Sequence, residues 1–305
     1  MQAFVDKLFS SFNKKSSAPA AAIGTTVPDA HDLYLLGRSL VQSQTLYPSQ
    51  MMKRSLQLLE TYDLSGSFTA SPAARQEAKD FLHDAGIRFR ERPDGSLVAV
   101  GDVNLSRKKL AHLPDLSCVM LMGSFNCDGN CLTSLRGAPF FVLNILYAGD
   151  NQLTSLEGGP QTAGAYYCQR NQLTTLTGCA EYIGAGFYAY NNKLTTLEGG
   201  PTFVGAEYHC QAAGLVSLKG APETAKEFLC ADNALRSLEY APRQFWKLES
   251  DFGDFKDGNI PDALRVTDRT DEMNAVAAGA TVLEDQISVR APLRLTLKKG
   301  DAPNA

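Results

Sequence analysis

Four cysteines recur at a regular interval in this chain. Cys127, Cys168, Cys210 and Cys230 each stand three residues before the position at which a repeated phrase opens. Thiolates at fixed spacing are the material of zinc sites and disulfide frameworks, so this column is the first candidate for chemistry. The same column holds Ala148 and Ala189 in the two other repeats. A metal ligand or a bridge cannot be exchanged for alanine, whereas a small apolar core residue can. Neither paired cysteine spacing nor a set of nearby histidines supports zinc, so buried free thiols are expected, with no metal and no cofactor. Free thiols imply a reducing compartment.

The other catalytic candidates are weaker. His209 has no serine or cysteine nucleophile with an evident base beside it, and reads as a contact residue. The Gly-rich turns GAP and GGP lack a following Lys-Ser/Thr, so they are turns and not phosphate loops. A non-enzymatic protein is the expectation. What remains is aromatic: Tyr147, Tyr167, Tyr188 and His209 fall at one place in successive repeats. On parallel strands they form a stripe with rungs about 4.8 Å apart. Tyr190, Arg170, Asp150 and Glu207 lie beside it. Tyrosine with arginine and scattered acids is the composition of interface centres, so the partner is expected to be another protein. The competing reading is that tyrosines are good strand formers stacking on their neighbours. Aromatic rungs also stack sugars or single-stranded bases, but the formal charge of -4 and the lack of a basic flank argue against nucleic acid.

The elements that position these residues follow from the period. NCLTSLRGAP opens at Asn130, NQLTSLEGGP at Asn151, NQLTTLTGCA at Asn171, NKLTTLEGGP at Asn192, AGLVSLKGAP at Ala213 and NALRSLEYAP at Asn233, in steps of 20 or 21 residues. Self-similarity at this period is the mark of a solenoid. Phe125, Leu146, Tyr166, Phe187, Tyr208 and Phe228 share the inward face of a short strand with the Cys/Ala column, because alternate strand residues point the same way. The Asn column can bond main-chain groups of adjacent coils. Ala213 breaks that column and is expected to leave a weakness or a bridging water. Leu132, Leu153, Leu173, Leu194, Leu215 and Leu235, with a second leucine three residues after each, complete the core. Glycine at the turn and Pro139, Pro160, Pro201, Pro222 and Pro242 after it hold the return segment to an extended or tight-turn course, with little room for a helix.

The pattern aromatic-x-Cys/Ala-x-x-Asn-x-Leu-x-x-Leu resembles the leucine-rich repeat, in the short bacterial form of about twenty residues. The resemblance runs from Val103 to Phe255 and departs from the family in its aromatic and Cys/Ala positions and in its Gly-x-Pro turn. It implies a mainly β repeat solenoid, a leucine-rich repeat array of short parallel strands that binds a protein on its concave face, as a bacterial effector or adaptor. Some bacterial relatives carry a C-terminal ubiquitin-ligase domain with a catalytic cysteine. Here no cysteine follows Cys230, so that activity is not implied. The alternatives are a structural or anchoring part of a bacterial or phage assembly, or an activity in the flanks with the repeats as targeting element.

Four segments follow: residues 1–28 as a mobile segment and linker, 29–100 as a helical cap and β-hairpin, 101–255 as the solenoid, and 256–305 as a C-terminal cap and tail. Three helices are expected in the N-terminal cap: one after Val27-Pro28-Asp29, one opening at Pro48, and one with Ser71 as N-cap, Pro72 at its first turn and Gly86 as its stop. Ile87 to Val100 reads as two strands about the Pro93-Asp94-Gly95 turn. Phe245, Trp246, Phe252 and Phe255 are expected to close the far end of the core. A short helix near Glu272–Ala278 and a strand in ISVRAPLRLTL follow. Residues 1–15 could lay Phe4, Val5, Leu8, Phe9 and Phe12 on a membrane or partner, but their charges give no signal-peptide layout. A cytoplasmic location, or delivery to a host cytosol by a non-Sec route, is expected. Arg107-Lys108-Lys109 reads as a solvated edge.

Overall fold

The structure, a computed structural model, describes residues 70–265. The expected helices after Asp29 and Pro48, the N-terminal apolar face, and the helix and strand beyond Asp257 all lie outside these residues. Helix α1 (Pro72–Asp84) begins where the sequence indicates: Ser71 Oγ accepts from the Ala74 N–H at 3.1 Å, and proline occupies the first turn. Ala78 and Leu82 bury its inner face, and Gly86 leaves the helix at φ 67°.

Strands β1 (Arg88–Glu91) and β2 (Leu97–Val100) form the expected antiparallel hairpin. Asp94 Oδ1 accepts from the backbone and hydroxyl of Ser96 at 2.9 and 2.6 Å, which pins the turn. From β2 onward the pairing becomes parallel and the chain winds as a mainly β repeat solenoid. The strands are β3 (Val103–Asn104), β4 (Val119–Met122), β5 (Phe125–Asn126), β6 (Phe141–Tyr147), β7 (Thr162–Tyr167), β8 (Tyr182–Ile183), β9 (Phe187–Tyr188), β10 (Phe203–Val204), β11 (Glu207–His209), β12 (Glu227–Leu229), β13 (Lys247–Ser250) and β14 (Gly253–Lys256). β14 folds back antiparallel on β13 and ends the ladder. A 3-10 turn, Asp262–Arg265, follows.

Each coil carries two strand segments with a bend between them. The second segments, β3–β5–β6–β7–β9–β11–β12–β13, make the ladder that the repeat pattern indicates. The first segments, β2–β4–β6–β7–β8–β10, make another parallel ladder out of the return segment. Only the extended part of that return course was anticipated. The bend falls at small residues because the coils touch there: a Cβ on Gly164 would lie 2.3 Å from the Asn144 carbonyl oxygen. Leu121, Val142, Ala163, Ile183, Val204, Ala225 and Phe245 enter the core from the first ladder, and the aromatic, Cys/Ala and two leucine columns fill it from the other sides. Leu235, near the end of the array, is the partly buried member of its column. Phe245 and Phe255 are buried at the C-terminal end as expected, but Trp246 is 69% exposed. It follows Phe245 on the same short segment, so alternation turns it outward.

The turn after the second leucine closes by a hydrogen bond such as Cys179 N–H to Leu176 O at 2.9 Å, with glycine at positive φ just before it. In the last full repeat Tyr240 takes the glycine's place at φ 63°, 49% exposed. A left-handed non-glycine residue costs about 1 kcal/mol. Tyr240→Gly is therefore expected to raise stability by about that amount, read as a higher denaturant midpoint with unchanged m value.

Candidate functional site

The cysteine column is core. Cys127, Cys168, Cys210 and Cys230 are fully buried free thiols, and burial raises the pKa of each. Cys127 Sγ donates to Tyr147 O at 3.2 Å and Cys210 Sγ to Leu229 O at 3.4 Å. Cys118, outside the column, is also buried, and burial pushes its thiol up to about 11. Such thiols are protonated at neutral pH and are poor nucleophiles and ligands. Among the described residues no group of three or more His, Cys, Asp or Glu could hold a metal ion, and no helix is long and apolar enough to cross a membrane.

The stripe is assembled as the spacing indicates. Parallel register sets Tyr147 beside Tyr167, Tyr167 beside Tyr188, and Tyr188 beside His209. The rings stack: centroids are 5.2 Å apart at 27° for Tyr147 and Tyr167, and 4.1 Å at 15° for Tyr167 and Tyr188. His209 meets Tyr188 edge-on at 4.8 Å and 69°. The four side chains thus form one plate, presenting ring edges and hydroxyls, with no room for a planar ligand between rungs. Each such contact stabilises the fold by about 0.5–1.5 kcal/mol beyond area burial. Part of what the tyrosines do is therefore structural.

Electrostatics fix the plate further. Tyr188 Oη donates a hydrogen bond to Glu207 Oε2. Burial, then the bonds to Glu207 and Tyr167, raise the Tyr188 pKa and keep its proton in place. Tyr147 is raised by burial, then by Tyr167, Asp128 and Asp102. The Asp128 pKa is raised by burial, which outweighs the hydrogen bond from the Gly149 N–H.

His209 is held below its ordinary value by burial and by Lys247, against the opposing pull of Glu207, Glu227 and Glu249. The folded protein therefore binds this proton more weakly than the unfolded chain. The residue contributes stability above the unfolded value of about 6.5, and that contribution is lost as pH falls from there through the lower folded value. His209→Gln is expected to melt with a smaller drop than wild type between about pH 7 and about pH 5. Parallel melting curves would refute this cause if they fell equally.

The neighbours expected with the stripe divide. Glu207 lies on β11 and joins the plate through Tyr188. Tyr190 is half-buried, one outward position further along the coil from Tyr188, outside the stack. Asp150 and Arg170 are past the strand ends, in left-handed conformation at φ 51° and 52°, together with Asn191 at 55° and Asp232 at 58°. They are exposed turn residues at the rim, and Arg170 reaches Asp150 at 3.5 Å. Sequence alternation placed them on the strand face because nothing in their side chains announces a positive φ.

Two further groups stand at outward repeat positions beside the stripe. Glu227 stands on the rung after Glu207 as its Cα partner. Gln169 and Gln211, one outward position further along the coil from Tyr167 and His209, each bury an Oε1 that accepts no hydrogen bond. Both follow from the repeat register, but only a side-chain structure shows which acceptors are left over. Searches of the sequence against protein-family models and curated proteins found no match.

Proposed function

We propose that this chain is a non-enzymatic, leucine-rich-repeat-like module of the short bacterial type that binds another protein on the tyrosine face. The observation that supports this is the plate itself: three tyrosines and a histidine are already ordered on successive rungs of a rigid ladder. Aromatic side chains fixed before docking offer contact area at low entropic cost. Parallel strands place them in one line, and the polar groups at the plate's margin supply orientation. The buried, protonated thiols behind the face fit work in a reducing compartment.

The test is co-purification with wild type and with Tyr147, Tyr167 and Tyr188 each changed to Ser. A partner retained by wild type and lost, with about a hundredfold weaker binding, by the triple variant is expected. Because stacking also holds the fold, Tyr190→Ser serves as a second variant outside the stack, and circular dichroism of both confirms folding. A folded triple variant that keeps the partner at full affinity contradicts the proposal.

A further inference from the structure

The charges around the plate are unbalanced in a definite way. Among the described residues three cations act on this face: Arg107 and Arg170 both pull the Asp128 pKa down, Arg170 is also 3.5 Å from Asp150, and Lys247 is 3.3 Å from Glu249. Asp128, Glu207 and Glu227 make no ion pair among the described residues. Glu207 and Glu227 are direct neighbours on β11 and β12, and like charges opposed across strands destabilise a sheet. Lys247 flanks Glu227 on the other side as its Cα partner on β13 and turns to Glu249, so the place between Glu207 and Glu227 is left for a cation from outside.

The unused hydrogen-bonding capacity has the same sign. Gln169 is only 8% exposed, yet its Oε1 accepts nothing, and neither does that of Gln211. Both oxygens are buried behind the face, so they add acceptor character beneath it, and the carboxylates are what it offers to an external donor. The stack ends at Tyr147, with no further ring beyond it among the described residues. Tyr147 is stacked by Tyr167 on one side, and on the other stands Asn126, whose Oδ1 is turned to its own coil to accept from the Asp128 N–H at 3.0 Å. Tyr147 lies close enough to Asp128 and Asp102 for their charges to raise its phenol pKa.

A planar cation with several donors suits both places. A guanidinium stacks on an aromatic face, pairs with carboxylates in a fork geometry and carries five N–H donors, whereas an ammonium is a strongly hydrated point charge. Resting on the reading of this face as a docking surface, we infer that its partner presents an arginine-bearing basic segment that lies along the plate, with one guanidinium over Tyr147 beside Asp128 and another between Glu207 and Glu227.

The test uses the full chain and a fluorescein-labelled short peptide alternating arginine and serine, followed by anisotropy. The expected result is saturable binding that weakens with salt, because exposed charges are screened beyond a Debye length of about 10 Å at 0.1 M. Substituting lysine for arginine in the peptide weakens it several-fold. E207Q and E227Q together weaken it about tenfold, while E227Q alone, whose carboxylate holds no hydrogen bond or ion pair among the described residues, weakens it with the melting temperature level or raised, which loss of a merely structural carboxylate would not give. A glutamate peptide does not bind.

Equal binding of the glutamate peptide, or unchanged affinity in E207Q/E227Q, overturns the inference. Tighter binding of the probe to full chain carrying R290E and R294E also overturns it, by assigning the face to the chain's own C-terminal segment. If the tyrosine triple variant loses a captured partner that the arginine peptide neither mimics nor displaces, the face is a docking surface for other chemistry. The inference then fails while the proposed function stands. If no partner depends on the tyrosines and the peptide does not bind, both fail.

Discussion

Replacing Asn171 with Ala is expected to remove about 3 kcal/mol of stability and to lower the melting temperature on the order of 10 °C. Asn171 is buried, and its amide links the backbone of its own coil to that of the preceding one. Its Nδ2 donates to Ala148 O at 2.9 Å, Cys168 O at 3.1 Å and Gln169 O at 3.3 Å, and its Oδ1 accepts from the Leu153 N–H at 3.0 Å. Alanine fills none of these, and each buried group left without a partner costs about 1–3 kcal/mol. Since folded domains are stable by only about 5–15 kcal/mol, the loss is large. In a solenoid each coil touches only its neighbours. Amide exchange should therefore rise first around Ala148 and Leu153, not evenly along the chain. The column's natural gap gives the reverse experiment. At Ala213 no amide reaches back toward Leu194, and Ala213→Asn is expected to add about 1 kcal/mol. Equal exchange everywhere in the Asn171 variant would contradict the ladder account.

Gly205→Ala is the second large effect. A Cβ there would lie 2.0 Å from the Gly184 carbonyl oxygen and 2.8 Å from its carbon. Both are backbone atoms in the bend of the neighbouring coil, held by Gly205 N–H to Ile183 O at 3.0 Å and Ala206 N–H to Ala185 O at 2.9 Å. Neither atom can swing aside as a side chain would, so the coils must separate at the bend. A loss of about 2–3 kcal/mol is expected, comparable to overpacking a core. The effect should be local to β10 and β11, and so should also disturb Glu207 and His209 on the tyrosine face. Denaturant melts with exchange mapping would show it, and a wild-type midpoint for Gly205→Ala would refute the close approach.

The sequence makes the second ladder, its inward columns and the terminal closure by Phe245 and Phe255 readable, because a hydrophobic pattern repeated in register leaves little choice of which side faces in. The Cys/Ala exchange alone separates a core thiol from a metal ligand, and the structure agrees at Cys127, Cys168, Cys210 and Cys230. The first ladder was not legible. Its residues, such as Thr162-Ala163 and Tyr182-Ile183, look like a connecting segment, and their pairing depends on the bend bringing coils into contact. The left-handed turns at Asp150 and Arg170 were hidden because other side chains stand where only Gly129 gives a signal. The tyrosine stripe was legible as a column, but not as a stack. Ring planes depend on rotamers, and so does the use of Glu207 as the acceptor for Tyr188. Glu227, Gln169 and Gln211 became candidates only through what they lack.

The tyrosine face as a protein-binding surface is tested most directly by contact. A photo-crosslinking amino acid placed at Tyr190, beside the plate, is compared in the full chain with the same group at Thr154, an exposed residue beyond the Asn column, off the strand face. Irradiation in extract is expected to give a discrete adduct from the Tyr190 variant that disappears when Tyr147, Tyr167 and Tyr188 are also changed to Ser, and none from the Thr154 variant. An adduct at Thr154 and none at Tyr190, with both proteins folded, would place the partner elsewhere and contradict the account.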